Sequence, residues 1–181
     1  KIKPYMDLFI DRDVFVSWNH NDPDLLSTFV NNPYFSETTN DQHKISVWHS
    51  DGIDGSLGEV SNIFKQLERC KVFVVLLSPN SVKSNWVKEE VDTAIKYLGK
   101  QFVLAILFDN VSYASEGSVF PKDHEIWNIT AKFEVDRNKF KVDESLKRRI
   151  ETLLSKRMMK LVIEKVQTTA IINFYEDYIK T

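Results

Sequence analysis

The sequence has a single cysteine, Cys70, among 181 residues. No disulfide can form within the chain, and a reducing, cytoplasmic compartment is the natural expectation. Glycine and proline are scarce, five of each, and nowhere gather into a linker. There is no repeat and no low-complexity tract. No apolar run approaches the roughly 20 residues of a membrane span. The longest, Val72–Ser78, is the size of a buried strand. The first residues lack the basic-then-apolar pattern of a signal peptide. The chain starts at Lys1 rather than Met, as a piece of a longer protein would. Neither charge dominates: 24 Lys and Arg stand against 26 Asp and Glu, for a net charge of −2. That balance offers no bulk attraction to nucleic acid. Gly-x-Gly-x-x-Gly and Walker loops are absent. His20, His43, His49 and His124 show no metal-ligand spacing and read as solvent-facing, so no metal is expected.

What is present alternates between short β-rich runs and helical segments. Val14–Val16 reads as a first strand. Asp22-Pro23 then offers an N-cap with proline at the first helical position, and Leu25, Leu26, Phe29 and Val30 supply an apolar face. Asn31 to Lys44 reads as a polar loop. Ile45–Trp48 is a second strand, followed by a loop with two glycines, Gly52 and Gly55. Ser56 and Glu59 have capping-box spacing before Leu57, Val60, Ile63, Phe64 and Leu67 at helical period. Val72–Leu77 is continuously apolar, as in a central parallel strand covered on both faces. A helix from Asn85 to Leu98 has Ser84 as cap and Gly99 as stop. Phe102–Phe108 is a fourth strand. Trp127–Ile129 and Lys132–Val135 are short strand candidates. From Asp143 the pattern is helical, with Leu146, Ile150, Leu153, Leu154, Leu161 and Val162 read as its apolar side. The basic residues Lys147, Arg148, Arg149, Lys156 and Arg157 read as a solvated face of that helix. The order predicts an α/β domain with a parallel sheet and helices on both faces. A core over 1–142 and a helical segment over 143–181, possibly leading to another module, are the expected division.

In such sheets ligands bind outside the carboxyl ends of the strands. Ser17, Trp18, Asn19 and His20 follow the first strand, and His49, Ser50, Asp51 and Gly52 the second. Ser78, Pro79 and Asn80 follow the third. The helix after Ser84 starts at the same edge. Its apolar stripe is Val87, Val91, Ala94, Ile95 and Leu98. At about 100° per residue, Glu89 faces solvent while Glu90 lies at the flank of the stripe, roughly 85° from its centre, with Trp86 one turn before it. Read from the wheel alone, Glu90 is a boundary carboxylate, paired with a nearby lysine or favouring the helix start.

Asp13-Val14-Phe15-Val16-Ser17-Trp18 resembles the first motif of the TIR (Toll/interleukin receptor) family, with Trp18 in place of the usual tyrosine. The stretch from Val74 through Ser78-Pro79, then Ser84-Asn85-Trp86 and Glu89-Glu90, is similar to the core of that family. Asp51 to Gly55 stands where the family has its mobile loop. The match runs from about Asp13 to Phe108. It implies a flavodoxin-like, three-layer α/β domain around a central parallel five-stranded sheet. It also implies one of two functions. Many TIR domains cleave NAD+ at the nicotinamide–ribose bond through a Trp-x-x-x-Glu pattern, matched by Trp86 and Glu90. Others are non-catalytic scaffolds that assemble through TIR–TIR contacts. Glu90 at the matching position favours an NAD+ hydrolase that is activated by self-association in immune or cell-death signalling. NAD+ is then substrate, and no cofactor is implied. The Arg-Asp and Pro-Gly motif of animal receptor domains is missing from Asp51–Gly55, which points to a microbial, defence-type protein.

The resemblance implies Glu90 as catalytic carboxylate. Ser17, Trp18, Asn19, His20, Trp48, Asp51, Ser78 and Trp86 are candidate contacts to NAD+. Each keeps a second reading. His20 is equally a surface histidine, and Asp51 a loop cap. Trp48 and Trp86 are equally core residues, and Ser78 satisfies backbone at its strand end. Expected partners are NAD+, other TIR domains and an attached sensor domain, with no direct nucleic acid and no membrane contact in this segment.

Overall fold

The computed structural model describes residues 12–36, 44–49 and 64–179, the last seven as backbone only. Six strands form one sheet: β1 (Arg12–Ser17), β2 (Phe35–Ser36), β3 (Ile45–His49), β4 (Cys70–Leu77), β5 (Val103–Phe108) and β6 (Ala131–Val135). Their spatial order is β2-β3-β1-β4-β5-β6, and every pairing is parallel. The five longer strands follow the flavodoxin-like order. The expected five strands are joined by a sixth, the two-residue β2. It lies inside the stretch read as a polar loop, where two residues carry no detectable period.

Strand side chains alternate between two cores. Phe15, Phe73, Val75, Leu77, Ala105 and Leu107 lie on one face, under helix α2 (Asn85–Leu98). Val14, Val16, Val74, Leu76, Ile106 and Phe108 lie on the other. That face is covered by helix α1 (Pro23–Val30), through Leu25, Leu26 and Phe29, and by helix α3 (Glu144–Ile179), through Leu146, Ile150 and Leu153. β4 is central, and its unbroken apolar run is explained by burial on both sides. Cys70 opens it as a buried structural thiol, pushed up to about 12 by burial.

The helix ends follow local chemistry. The Ser84 hydroxyl accepts from the Val87 N–H at 3.2 Å to start α2. Gly99 ends it at φ 89°, a left-handed position that favours glycine. Pro23 opens α1, but Asp22 departs from the expected cap. It stands at the N-cap position with no side-chain capping bond, because its carboxylate is engaged elsewhere.

Three further expectations are corrected. Trp127–Ile129 is not a strand; Glu125–Asn128 forms a 3-10 turn. His124 does not face solvent. Its side chain is 9% exposed, with Nε2 2.7 Å from Asp92 Oδ1 and Nδ1 accepting from the Ile126 N–H. His49 is half-buried. Val162 does not share the buried side of α3 but is 57% exposed. The Ser56–Glu59 capping box, His43, Asp51 and the Gly52–Gly55 loop lie outside the described residues.

Among the described residues, no helix is long and apolar enough to cross a membrane.

Candidate active site

The chain runs from β1 outward to β3, then crosses back past β1 to β4. The connections on either side of β1 therefore leave on opposite faces of the sheet, which opens a crevice at the carboxyl ends of β1 and β4. Ser17 is the last residue of β1 and Ser78 directly follows β4. Both are 0% exposed.

Glu90 reaches Ser17 from the second turn of α2. It is only 1% exposed, deeper than its position at the flank of the stripe suggested. Its Oε2 accepts a 2.5 Å hydrogen bond from the Ser17 hydroxyl, and its Oε1 accepts from Trp86 Nε1 at 3.1 Å. Trp86 and Glu90 are four residues apart, so the indole and the carboxylate stack on one side of the helix. Burial pushes the Glu90 carboxyl up to about 8, although both donors pull the other way. Burial thus favours the neutral form of this carboxyl, and the two donors favour the ionised one. Glu89, its neighbour, is exposed as expected.

Trp48 joins this face of the sheet. It is half-buried on β3, with its ring 4.8 Å from that of Phe15, and packs with Trp86 against the same core. Trp18 does not join it. It packs against the opposite core, because β1 side chains alternate and Trp18 is one residue past Ser17. His20 is exposed.

Asn19 and Ser78 belong to a second polar network centred on Asp22, which is 1% exposed. Asp22 Oδ2 accepts from the Ser78 hydroxyl at 2.5 Å. Its Oδ1 accepts from Asn80 Nδ2 at 2.9 Å and from Arg137 Nη1 at 2.8 Å. Arg137 also forks onto Asp24. The Asn19 carbonyl accepts from the Asp22 N–H at 2.8 Å, and Asn19 Oδ1 accepts from the Asn21 N–H. This network locks the loop after β1, the loop after β4 and the turn after β6 to one another. Ser78 therefore does more than satisfy backbone at its strand end. The parts played by Asp22 and Arg137 went unread in the sequence; the only local signal was the pairing of Asp22 with Pro23.

Asp13 lies near the opposite end of β1 from Ser17. Its Oδ2 accepts from the Ser46 N–H and hydroxyl, and Lys71 Nζ sits 2.6 Å from its Oδ1. Burial pushes its carboxyl up, but Lys71 and Ser46 together hold it below the usual range. These contacts tie β1 to both flanking strands.

No curated protein matches this sequence. Among solved structures, the TIR domains in "Structure of the activated Roq1 resistosome directly recognizing the pathogen effector XopQ" are similar at 23% identity, with a TM-score of 0.40. The similarity covers 54% of this chain and 58% of that one, so the chain spans a little over half of that relative's length. A family model described as TIR domain matches residues 14–139. That span runs from within β1 to beyond β6 and takes in Glu90 and the Asp22–Arg137 network, and the chain belongs to the TIR-domain family.

Proposed function

We propose that this TIR domain hydrolyses NAD+ at the nicotinamide–ribose bond, with Glu90 as the carboxylate that faces the ribose. The observation that carries this reading is the placement of Glu90 at the strand-end crevice, with both oxygens held by donors from Ser17 and Trp86. The C1′–N bond breaks with its electron pair leaving on nicotinamide, which departs neutral and needs no strong general acid. The ribose gains oxocarbenium character, and a fixed carboxylate stabilises that charge. Water then adds at C1′ and its proton passes to solvent. The cationic pyridinium of NAD+ favours the ionised form of Glu90 and so offsets the effect of burial. Ser17 and Trp86 act as positioning residues by fixing the carboxylate plane. Trp48 supplies ring surface on the same face, and His20 is exposed at the same edge.

The competing reading, a non-catalytic scaffold for TIR–TIR assembly in signal transduction, is favoured by one observation: Glu90 is 1% exposed and sealed by its own neighbours. Nicotinamide release from concentrated, clustered protein separates the two. Turnover that falls by about 100-fold or more in Glu90→Gln supports the enzyme. Clustered wild type that releases no nicotinamide leaves the scaffold.

A further inference from the structure

Imidazole is the side chain that exchanges its proton nearest neutral pH, and only one form of His124 fits the place it occupies. Its side chain is 9% exposed. Its Nδ1 accepts from the Ile126 N–H at 3.1 Å and so caps the 3-10 turn Glu125–Asn128. A ring nitrogen that accepts carries no proton, so the proton of the neutral ring is on Nε2. Nε2 lies 2.7 Å from Asp92 Oδ1 and donates to it. The two contacts assign the same tautomer. The ring also meets Phe120 edge-on, with centroids 5.0 Å apart, so it has little room to turn.

The surrounding charges do not decide the matter. From α2, Asp92 faces the ring and Lys88 Nζ sits 2.6 Å from its other oxygen. Burial pushes the Asp92 carboxyl up, but Lys88 and His124 together hold it below the usual range, so it is an anion here. Lys96 lines the groove around the ring from α2, and Asp123 and Glu125 line it from the ring's own segment. Lys100, at the start of the turn before β5, sits 3.4 Å from Glu125. Three cations thus stand against three anions. The hydrogen bonds, rather than a net field, set which form of the ring the fold accepts.

We propose that His124 is a proton-sensitive clasp between the β5–β6 connection and α2. When neutral it closes the turn Glu125–Asn128; when protonated it keeps Asp92 and releases Ile126. Asp92 accepts from Nε2 in either form, so that bond survives protonation. The bond to Ile126 does not, because a second proton on Nδ1 sets two donors against each other. Ile126 is 0% exposed, so its N–H has no water to turn to and the turn must open. Ile126 and Trp127 both pack in the core under α2, and Trp127 Nε1 donates to the Pro121 carbonyl. The segment stays tethered upstream, where the Val119 N–H donates to the Val82 carbonyl at 2.9 Å. The clasp does not depend on NAD+ chemistry at Glu90.

NMR titration of the whole chain tests this through the His124 ring nitrogens and the Ile126 amide. The expected result is an Nε2–H tautomer in the neutral ring, and an Ile126 amide signal that moves in step with ring protonation. His124→Asn keeps an acceptor at the cap and cannot take up the proton. Its Ile126 amide should hold the neutral position at every pH. His124→Phe keeps a ring beside Phe120 but offers no acceptor, so its Ile126 amide should sit at the acid position throughout. A neutral ring that carries its proton on Nδ1 overturns the proposal. So does a wild-type Ile126 amide that stays still while the ring protonates, or a His124→Asn amide that follows the wild-type curve.

Discussion

The Ser17 hydroxyl donates a 2.5 Å hydrogen bond to Oε2 of Glu90, joining the last residue of β1 to the second turn of α2 across 73 positions of sequence. Trp86 Nε1 holds the other oxygen. The carboxyl thus has both of its oxygens in use while almost no water reaches it. Its consequences for stability and for titration can be separated by substitution.

Glu90→Gln and Glu90→Ala differ in what they leave behind. Glutamine keeps the volume, accepts from Trp86 Nε1 with its oxygen, and donates to a rotated Ser17 hydroxyl. Alanine leaves both donors short of a partner and opens a void beside Val87 and Val91. Each orphaned buried donor costs about 1–3 kcal/mol, and the void adds to that. Glu90→Ala is therefore expected to be less stable than Glu90→Gln by about 2 kcal/mol or more in urea titrations at one pH. Equal midpoints would mean that Ser17 and Trp86 find other acceptors.

Stability should also depend on pH through Glu90. Unfolded, the group titrates near its ordinary 4.5; folded, burial raises it to about 8. Between those values the folded protein binds a proton that the unfolded chain does not. The stability tied to this group is complete below about 4.5 and is lost as pH rises through about 8. Glu90→Gln cannot titrate. Its advantage over wild type should grow between those pH values, reaching a few kcal/mol, and level off above. Parallel stability-versus-pH curves for the two proteins would contradict the raised value.

The sequence carried the central strands and α2 well, because β4 needs an unbroken apolar run and α2 has a serine cap and a glycine stop. It separated Glu90 from Glu89 by azimuth alone. The depth of Glu90 was not legible, since it depends on Ser17, 73 positions away. The partners of Asp22 were hidden for the same reason: Arg137 lies 115 positions along the chain. In α3, Leu161 and Val162 were read as one face, yet adjacent helical residues point about 100° apart. Leu161 stayed half-buried and Val162 did not.

Arg137 should matter out of proportion to its exposure. Its guanidinium meets Asp22, whose side chain is 1% exposed, and forks onto Asp24. The hydrogen bond from Arg137 leads in holding the Asp24 carboxyl below its usual range. Arg137→Ala leaves a buried carboxylate without its cation and frees the turn after β6 from the start of α1. A loss of about 2–3 kcal/mol is expected, in the range for hydrogen bonds to charged groups. Lys139→Ala, two residues on and 80% exposed, serves as the control and should change stability by a few tenths at most. Thermal melts of the two variants side by side make the comparison, and equal melting temperatures would show that the Asp22 network does not need Arg137.

Removing one donor at a time tests whether the hydroxyl and the indole tune Glu90. Both bonds favour the ionised carboxylate and hold its titration below the value that burial alone would set. Ser17→Ala deletes the shorter, buried bond. Trp86→Phe deletes only the indole N–H and keeps an aromatic ring against the Val87 and Val91 core. Each should therefore raise the Glu90 titration further, with Ser17→Ala the larger change because its bond is shorter and better shielded from water. The Glu90 carboxyl carbon, followed by NMR across the pH range, reads this directly. In the same variants, the pH window over which stability is lost should move upward with the carboxyl signal. If nicotinamide release requires the ionised form, the acidic limb of the activity profile should move with it. A carboxyl titration that falls in Ser17→Ala would mean that water enters the vacated space and solvates the anion, which would assign Ser17 to sealing the carboxyl rather than to orienting it.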